Sequence, residues 1–217
     1  LSAIQTLKEL TIRDTDEVLD LRPIPAVQSL RKLVLDQLCM AGFQSGIQSL
    51  AELHDLRELH LGLNLGFDLD TLKVPPGLKF LVDSEAHYEL SAAFFSQLGA
   101  LERLDLSRWR WVDDWPRDEE SPTHVDALAG LVHLRELHLG YWDRLENLDG
   151  LAGLERLEVL VLDNCNALEN LDVIADLPAL TWLSLDGEQL AVHPTDPVMS
   201  ESGEVRAYQE AIRAHRP

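Results

Sequence analysis

The chain has 217 residues, 46% of them apolar, enough for one large domain or an elongated array with a continuous core. Thirty-eight acidic residues against 18 basic give a formal net charge of −20, which argues against nucleic acid and anionic membrane and favours a basic protein or peptide as partner. The apolar content excludes disorder, and no apolar run approaches the roughly 18–20 residues of a membrane span.

Read from the N-terminus, one template recurs: Leu-x-x-Leu-x-Leu. It fits LKELTI at Leu7, LRKLVL at Leu30, LRELHL at Leu56 and LKFLVD at Leu78. It fits again at LERLDL (Leu101), LRELHL (Leu134), LEVLVL (Leu157) and LTWLSL (Leu180). The starts are 23, 26, 22, 23, 33, 23 and 23 residues apart. Within each copy the apolar residues alternate with polar ones, as Leu137 and Leu139 alternate with Glu136 and His138, which is strand periodicity. One such strand cannot bury its own apolar face. Stacking the next copy about 4.8 Å away pairs the backbones and closes the core. Each inward leucine then contributes roughly 1.5–3 kcal/mol. The return segments carry a leucine every third residue, as at Leu145, Leu148, Leu151, Leu154 and Leu157, a spacing that suits 3₁₀ turns.

This pattern resembles the leucine-rich-repeat family, whose consensus continues Leu-x-x-Leu-x-Leu-x-x-Asn/Cys-x-Leu. The resemblance covers about Leu1 to Gly187 and is clearest at LEVLVLDNCNAL, with Cys165 in the Asn/Cys position, and at LRELHLGLNLGF, with Asn64 there. It implies an α/β solenoid of about eight repeats, with a parallel sheet on the concave side and 3₁₀ turns or short helices on the convex side. Three repeats depart from it, holding Leu38, Trp109 and Trp142 in the Asn/Cys position, and the fourth has Asp83 where the third apolar residue belongs. The ladder of side-chain-to-backbone hydrogen bonds is therefore expected to be interrupted at those repeats.

Two stretches break the period. In residues 84–101, Leu90, Phe94, Leu98 and Leu101 recur at helical spacing and predict a short convex helix. The long interval carries an insertion at about 109–122, with Trp109, Trp111, Trp115, Asp113 and Asp114, leaving from the end of the fifth strand. Long loops on a rigid scaffold are often functional. The alternative is that Trp109 or Trp111 folds back into the ladder while the acids stay solvated. After Gly187 a Pro-containing linker leads to a segment that sets Val205, Tyr208 and Ile212 on one helical face, so 188–217 reads as a linker and a capping helix. No matching cap precedes Leu7, and the chain begins without Met, so an upstream partner segment is expected.

Little chemistry is visible. Phosphate loops, GxSxG, HExxH and calcium loops are absent, and the eight histidines show no metal-ligand spacing. The duplicated LRELHL does not pair His60 with His138. They lie three repeats apart, about 14 Å at the spacing of paired strands. No catalytic residue, metal or cofactor is expected. Cys39 and Cys165 form no CxxC pair and no Asn-x-Ser/Thr site is present, which points to the cytoplasm.

What remains is the concave face. The template turns Phe80, Arg103, Asp105, Arg108, Glu136, His138, Tyr141 and Trp182 outward, with Phe80, Val82, Tyr141 and Trp182 expected to be exposed. Aromatic residues beside arginines are the residue types of binding hot spots. Together with Trp111, Asp113, Asp114 and Trp115 of the insertion they form the candidate surface for a protein or peptide. The stretch LDGLAGLERLEVLVLDNC is similar in style to the C-terminal sensor repeats of bacterial NACHT-type, NLR-like signalling ATPases. That resemblance implies an upstream ATPase domain and a ligand-sensing or innate-immunity role. Alternatives are the repeat domain of an enzyme or enzyme regulator, such as a ubiquitin-ligase effector or a GTPase regulator, and a secreted adhesin.

Overall fold

The computed structural model describes residues 6–15, 20–38, 46–62, 72–83, 91–107, 122–186 and 189–216. Nine strands form one sheet in chain order: β1 (Glu9–Thr15), β2 (Lys32–Leu38), β3 (Glu58–Gly62), β4 (Phe80–Asp83), β5 (Arg103–Asp105), β6 (Glu136–His138), β7 (Val159–Leu162), β8 (Trp182–Leu185) and β9 (Val198–Met199). The first eight pair in parallel; β9 closes the sheet antiparallel to β8. This is the curved leucine-rich-repeat solenoid.

The register follows from the leucines. Leu10, Leu33, Leu59, Leu81, Leu104, Leu137, Leu160 and Leu183 align as one inward column across eight strands. From Leu33 onward every member is buried. A slip of one residue would turn the whole column to solvent. At the strand starts a backbone ladder joins all repeats: Arg31 N–H donates to Lys8 O, Arg57 to Arg31, Lys79 to Arg57, Glu102 to Lys79, Arg135 to Glu102, Glu158 to Arg135 and Thr181 to Glu158, all at 2.8–2.9 Å.

The return segments run in triplets. Leu128 N–H donates to Val125 O, Leu131 to Leu128 and Leu134 to Leu131, and the same relay runs from Leu148 through Leu151 and Leu154 to Leu157. Each bond spans three residues, so leucines spaced by three fall on one inward edge. 3₁₀ turns lie at Ile24–Ala26, Ile47–Glu52, Ser96–Leu98, Asp126–Leu128 and Asp149–Leu151. Adjacent turns pack closely. A Cβ on Gly150 would lie 2.2 Å from the backbone oxygen of Val125, so only glycine allows this approach. Two short helices interrupt the pattern, α1 (Ala92–Phe95) and α2 (Asp172–Ala175). The expected helix over 84–101 is thus one α-turn continued by a 3₁₀ turn, and its part before Ser91 lies outside the described residues.

The last repeat is covered by α3 (Ser202–His215), which buries Val205, Tyr208, Gln209 and Ile212 against α2 and β8. Gln209 lies where an apolar side chain would serve packing, and its amide nitrogen donates to Ile174 O (2.8 Å) and Leu177 O (2.9 Å). The Leu177 carbonyl finds its partner this way, and the Ile174 carbonyl, which already accepts from Leu177 N–H at 3.4 Å, gains a second donor. Arg216 forks onto Asp172 and Asp176 at the rim.

The expected break of the ladder at Trp142 does not occur. Trp142 is fully buried, and its indole Nε1 donates to Leu106 O at 2.9 Å. One repeat on, Cys165 Sγ donates to the equivalent Leu139 O at 3.3 Å. Indole N–H replaces the shorter side chain because any donor of sufficient reach satisfies the same carbonyl. Asp83 is buried in register with Leu61, as its place in the template implies.

Candidate functional site

The outward face of the sheet falls into two parts. Over β2 to β6 its polar side chains are engaged with one another. Glu58 Oε1 accepts from Lys32 Nζ at 2.5 Å and lies 2.6 Å from His60 Nε2. Partial burial works to raise the Glu58 pKa, but the Lys32 ammonium and His60 together outweigh it and hold the carboxyl below the ordinary glutamate value. The His60 ring meets Phe80 edge-to-face at a centroid distance of 5.2 Å. On the far side of Phe80 the Arg103 guanidinium carbon sits 4.5 Å from the ring centroid. That guanidinium grips Glu136 with both arms, Nε to Oε2 at 2.7 Å and a terminal nitrogen to Oε1 at 2.8 Å. Glu136 Oε1 is 3.0 Å from His138 Nε2, which is buried and not aligned for a hydrogen bond, and His138 Nδ1 is 4.0 Å from Asp105. Lys32, Glu58, His60, Phe80, Arg103, Glu136, His138 and Asp105 thus form one continuous chain of contacts across five strands.

Over β7 and β8 the character changes. Val159, Val161 and Trp182 turn outward and are half-buried, with Val159 in register with Trp182. Asp163 and Asp186 directly follow β7 and β8, and Asp143 lies in the turn beyond β6. Each accepts from a neutral donor: Asp143 from Asn166 Nδ2 at 2.9 Å, Asp163 from the Ser184 hydroxyl, Asp186 from the Asn164 backbone N–H. Among the described residues none of the three forms an ion pair. Behind them burial, the Trp142 backbone contact opposing it, and the three carboxylates push the Cys165 thiol up to about 12, so it is inert.

The expected exposure is corrected at several positions. Phe80, Val82 and Trp182 are half-buried, because aromatic and branched side chains on adjacent strands cover one another. Val34 and Ser184, also turned outward by the template, are buried. Tyr141 is exposed (39%), but it sits in the turn after β6 with φ 66°, not on the strand. Its counterpart one repeat later, Asn164, has φ 59°. Asparagine adopts this left-handed backbone readily and tyrosine does not. Arg103 keeps an exposed side chain, while Glu136, Asp105 and His138 are partly covered by their partners. Arg108, Trp111, Asp113, Asp114 and Trp115 lie outside the described residues. The template turns Val159 and Val161 outward as well, by their alternation with Leu160 and Leu162, but the sequence reading did not count them among the contact residues. It also missed β9, two residues long within a Pro-containing stretch. Among the described residues no group of three or more His, Cys, Asp or Glu could hold a metal ion, and no helix is long and apolar enough to cross a membrane.

Neither a protein-family model nor a curated protein sequence matches the chain. Among solved structures, an internalin (inlF) from Listeria monocytogenes is similar with a TM-score of 0.55 at 17% identity, over 88% of this chain and 64% of that one. An internalin C2 (inlC2) from the same organism gives 0.55 at 19%, over 86% and 74%. The chain thus spans less than two thirds of the first of these proteins. Internalins are leucine-rich-repeat proteins, and at such identities the likeness speaks for the fold alone.

Proposed function

We propose that this chain, a leucine-rich-repeat solenoid by fold, is a protein-recognition module whose partner contacts the concave sheet face at its C-terminal third. The observation that carries this reading is the contrast between the two parts of that face. Over β2 to β6 the charged side chains are paired with one another, with His138 Nε2 left without a hydrogen bond, so a ligand there would have to break existing contacts. Over β7 and β8 an apolar strip of Val159, Val161 and Trp182 lies beside three carboxylates that form no ion pair among the described residues. Partners bind best where apolar anchors are desolvated and electrostatics are complementary. A basic protein or peptide with an apolar side chain next to Lys or Arg fits that strip, and the net charge of −20 favours the same encounter.

In this reading residues 1–187 are the recognition solenoid, 109–122 an insertion beside its rim, and 188–217 a linker and cap. Phe80, Arg103, Asp105, Glu136 and His138 order the face, while Arg108, Tyr141, Trp182 and the insertion residues Trp111, Asp113, Asp114 and Trp115 meet the partner. No enzymatic role is assigned to the chain. A cytoplasmic, NLR-like sensor with an ATPase domain upstream is the context in which such a module would report its ligand. Affinity capture from native lysate, with the captured protein identified by mass spectrometry, tests the proposal. Tyr141→Ala with Trp182→Ala should lose that protein while the circular dichroism stays unchanged. Capture that survives both substitutions would overturn it.

A further inference from the structure

The rim at the strand starts carries a charge pattern of its own. The ladder residues Lys8, Arg31, Arg57, Lys79, Glu102, Arg135, Glu158 and Thr181 follow one another there, about 4.8 Å apart. In the later repeats this column is paired along its length: Lys79 Nζ reaches Glu102 at 2.7 Å, and Arg135 holds Glu158. In the earlier repeats cation follows cation. Arg31 and Arg57 are exposed, and among the described residues neither forms an ion pair, although Asp55 stands two residues before Arg57. Both belong to interior repeats, with described strands on either side.

Arg57 is nonetheless held in place. Its Nη1 donates to His54 O and to Leu56 O, both at 2.9 Å. The guanidinium lies against Gly77 of the next repeat, where a Cβ would come within 2.7 Å of Nη1 and 3.7 Å of Nη2. With Nη1 engaged by carbonyls, the edge formed by Nε and Nη2 keeps its parallel N–H groups. Elsewhere in this chain that edge takes a carboxylate: Arg22 holds Asp20 with it, Arg103 holds Glu136 and Arg135 holds Glu158. In Arg57 the same edge has no partner among the described residues. A guanidinium fixed by backbone carbonyls, with its carboxylate-binding edge free and a second cation one strand away, is ordered for an anion before any arrives.

We propose that this rim, over β2 to β4, docks an acidic helix of a partner protein, one carboxylate of which enters the Arg57 fork while another meets Arg31. The spacing selects a helix. Carboxylates three or four residues apart on a helix lie about 4.5–6 Å apart along its axis, close to the strand interval of about 4.8 Å. Same-side residues of an extended chain lie about 6.6–6.8 Å apart and fall out of step. A third carboxylate reaches Lys79, which is half-buried and shared with Glu102. The net charge of −20 does not prevent the encounter. Exposed charges more than about 8 Å away are largely screened at physiological salt, so the helix meets the local cations. Four strand intervals, about 19 Å, separate β3 from β7, so the proposal is independent of what the strip over β7 and β8 binds.

The test is titration of the whole chain with a synthetic alanine-rich helical peptide that carries glutamates at i, i+4 and i+7 on one face. Nuclear magnetic resonance follows the Arg57 Nε–H signal, which should shift together with that of Arg31 and saturate. A peptide of the same composition with its glutamates spread around the helix should bind roughly threefold or more weakly. Arg57→Gln should weaken the first peptide roughly tenfold or more, the range for a lost hydrogen bond to a charged group. That variant also removes two donors to backbone carbonyls, so Gly77→Ala and Arg31→Glu are measured beside it. Gly77→Ala keeps every charge and displaces the guanidinium, while Arg31→Glu reverses a side chain that holds no described partner. Each should weaken the peptide roughly threefold or more with unchanged circular dichroism. Tyr141→Ala with Trp182→Ala should leave the affinity as it is, which separates this site from the recognition strip. No shift at Arg57, equal binding of the two peptides, or full affinity in both Gly77→Ala and Arg31→Glu would overturn the proposal. So would a single-stranded oligonucleotide that binds the rim as tightly as the peptide.

Discussion

Trp142 Nε1 donates to the carbonyl oxygen of Leu106 at 2.9 Å, doing at one turn what the Cys165 thiol does to Leu139 at the next. A buried carbonyl left without its donor costs about 1–3 kcal/mol. Trp142→Phe keeps most of the volume and removes the N–H, so urea unfolding should show a loss in that range. Trp142→Ala adds a cavity and should cost about 3–5 kcal/mol. If Trp142→Phe proves as stable as the wild type, the indole is packing alone and the ladder account of this turn fails.

The repeats were legible because leucine spacing is a property of one dimension. A period of about 23 residues, alternation at 136–139 and triplets at 145–157 foretell parallel stacking, inward columns and 3₁₀ relays. The pairings on the outer face were not legible. Lys32 meets Glu58 across 26 residues and Arg103 meets Glu136 across 33, so the partner of each depends on return segments of different lengths. Nor did the consensus reveal Trp142, although the clue was present: an indole is a donor. The left-handed turn at Tyr141 could have been foreseen only by aligning it with Asn164.

That alignment carries its own prediction. Tyr141 holds a backbone conformation that Asn164 holds one repeat later at less cost. Tyr141→Asn should therefore stabilise the fold by about 0.5–1 kcal/mol, since a non-glycine residue in this region loses about 1–2 kcal/mol and asparagine recovers part of it. In the proposed function the same change weakens capture of the partner. A thermal midpoint that falls would show that the tyrosine ring contributes packing worth more than the backbone cost.

Two glycines on the convex side should respond oppositely to alanine. At Gly150 the added methyl would meet the backbone of Val125 and Asp126, which cannot yield without separating two turns. Gly150→Ala is expected to cost about 1–3 kcal/mol. At Gly153 nothing lies within 4 Å of the new carbon, so Gly153→Ala should be neutral or stabilising by up to about 1 kcal/mol. Equal effects in denaturant titration would mean that adjacent turns are not packed as described.

The Glu58 contacts make a pH-dependent contribution of known sign. Its folded pKa lies below the unfolded value, so the stabilisation is present above the unfolded glutamate value of about 4.3 and is lost as pH falls through the folded one. Glu58→Gln imitates the protonated side chain. It should be less stable than wild type at neutral pH, by no more than about 1 kcal/mol for a pair this open to solvent, and the gap should close in strong acid. A gap that widens on acidification would contradict the assigned direction.

The division of the concave face is tested most directly by nuclear magnetic resonance of the chain titrated with its captured partner. The methyl groups of Val159 and Val161 and the indole of Trp182 should shift together, while signals from Lys32 to His60 stay in place. Shifts confined to β2 through β5, or to the convex turns, with Val159, Val161 and Trp182 unmoved, would contradict the account.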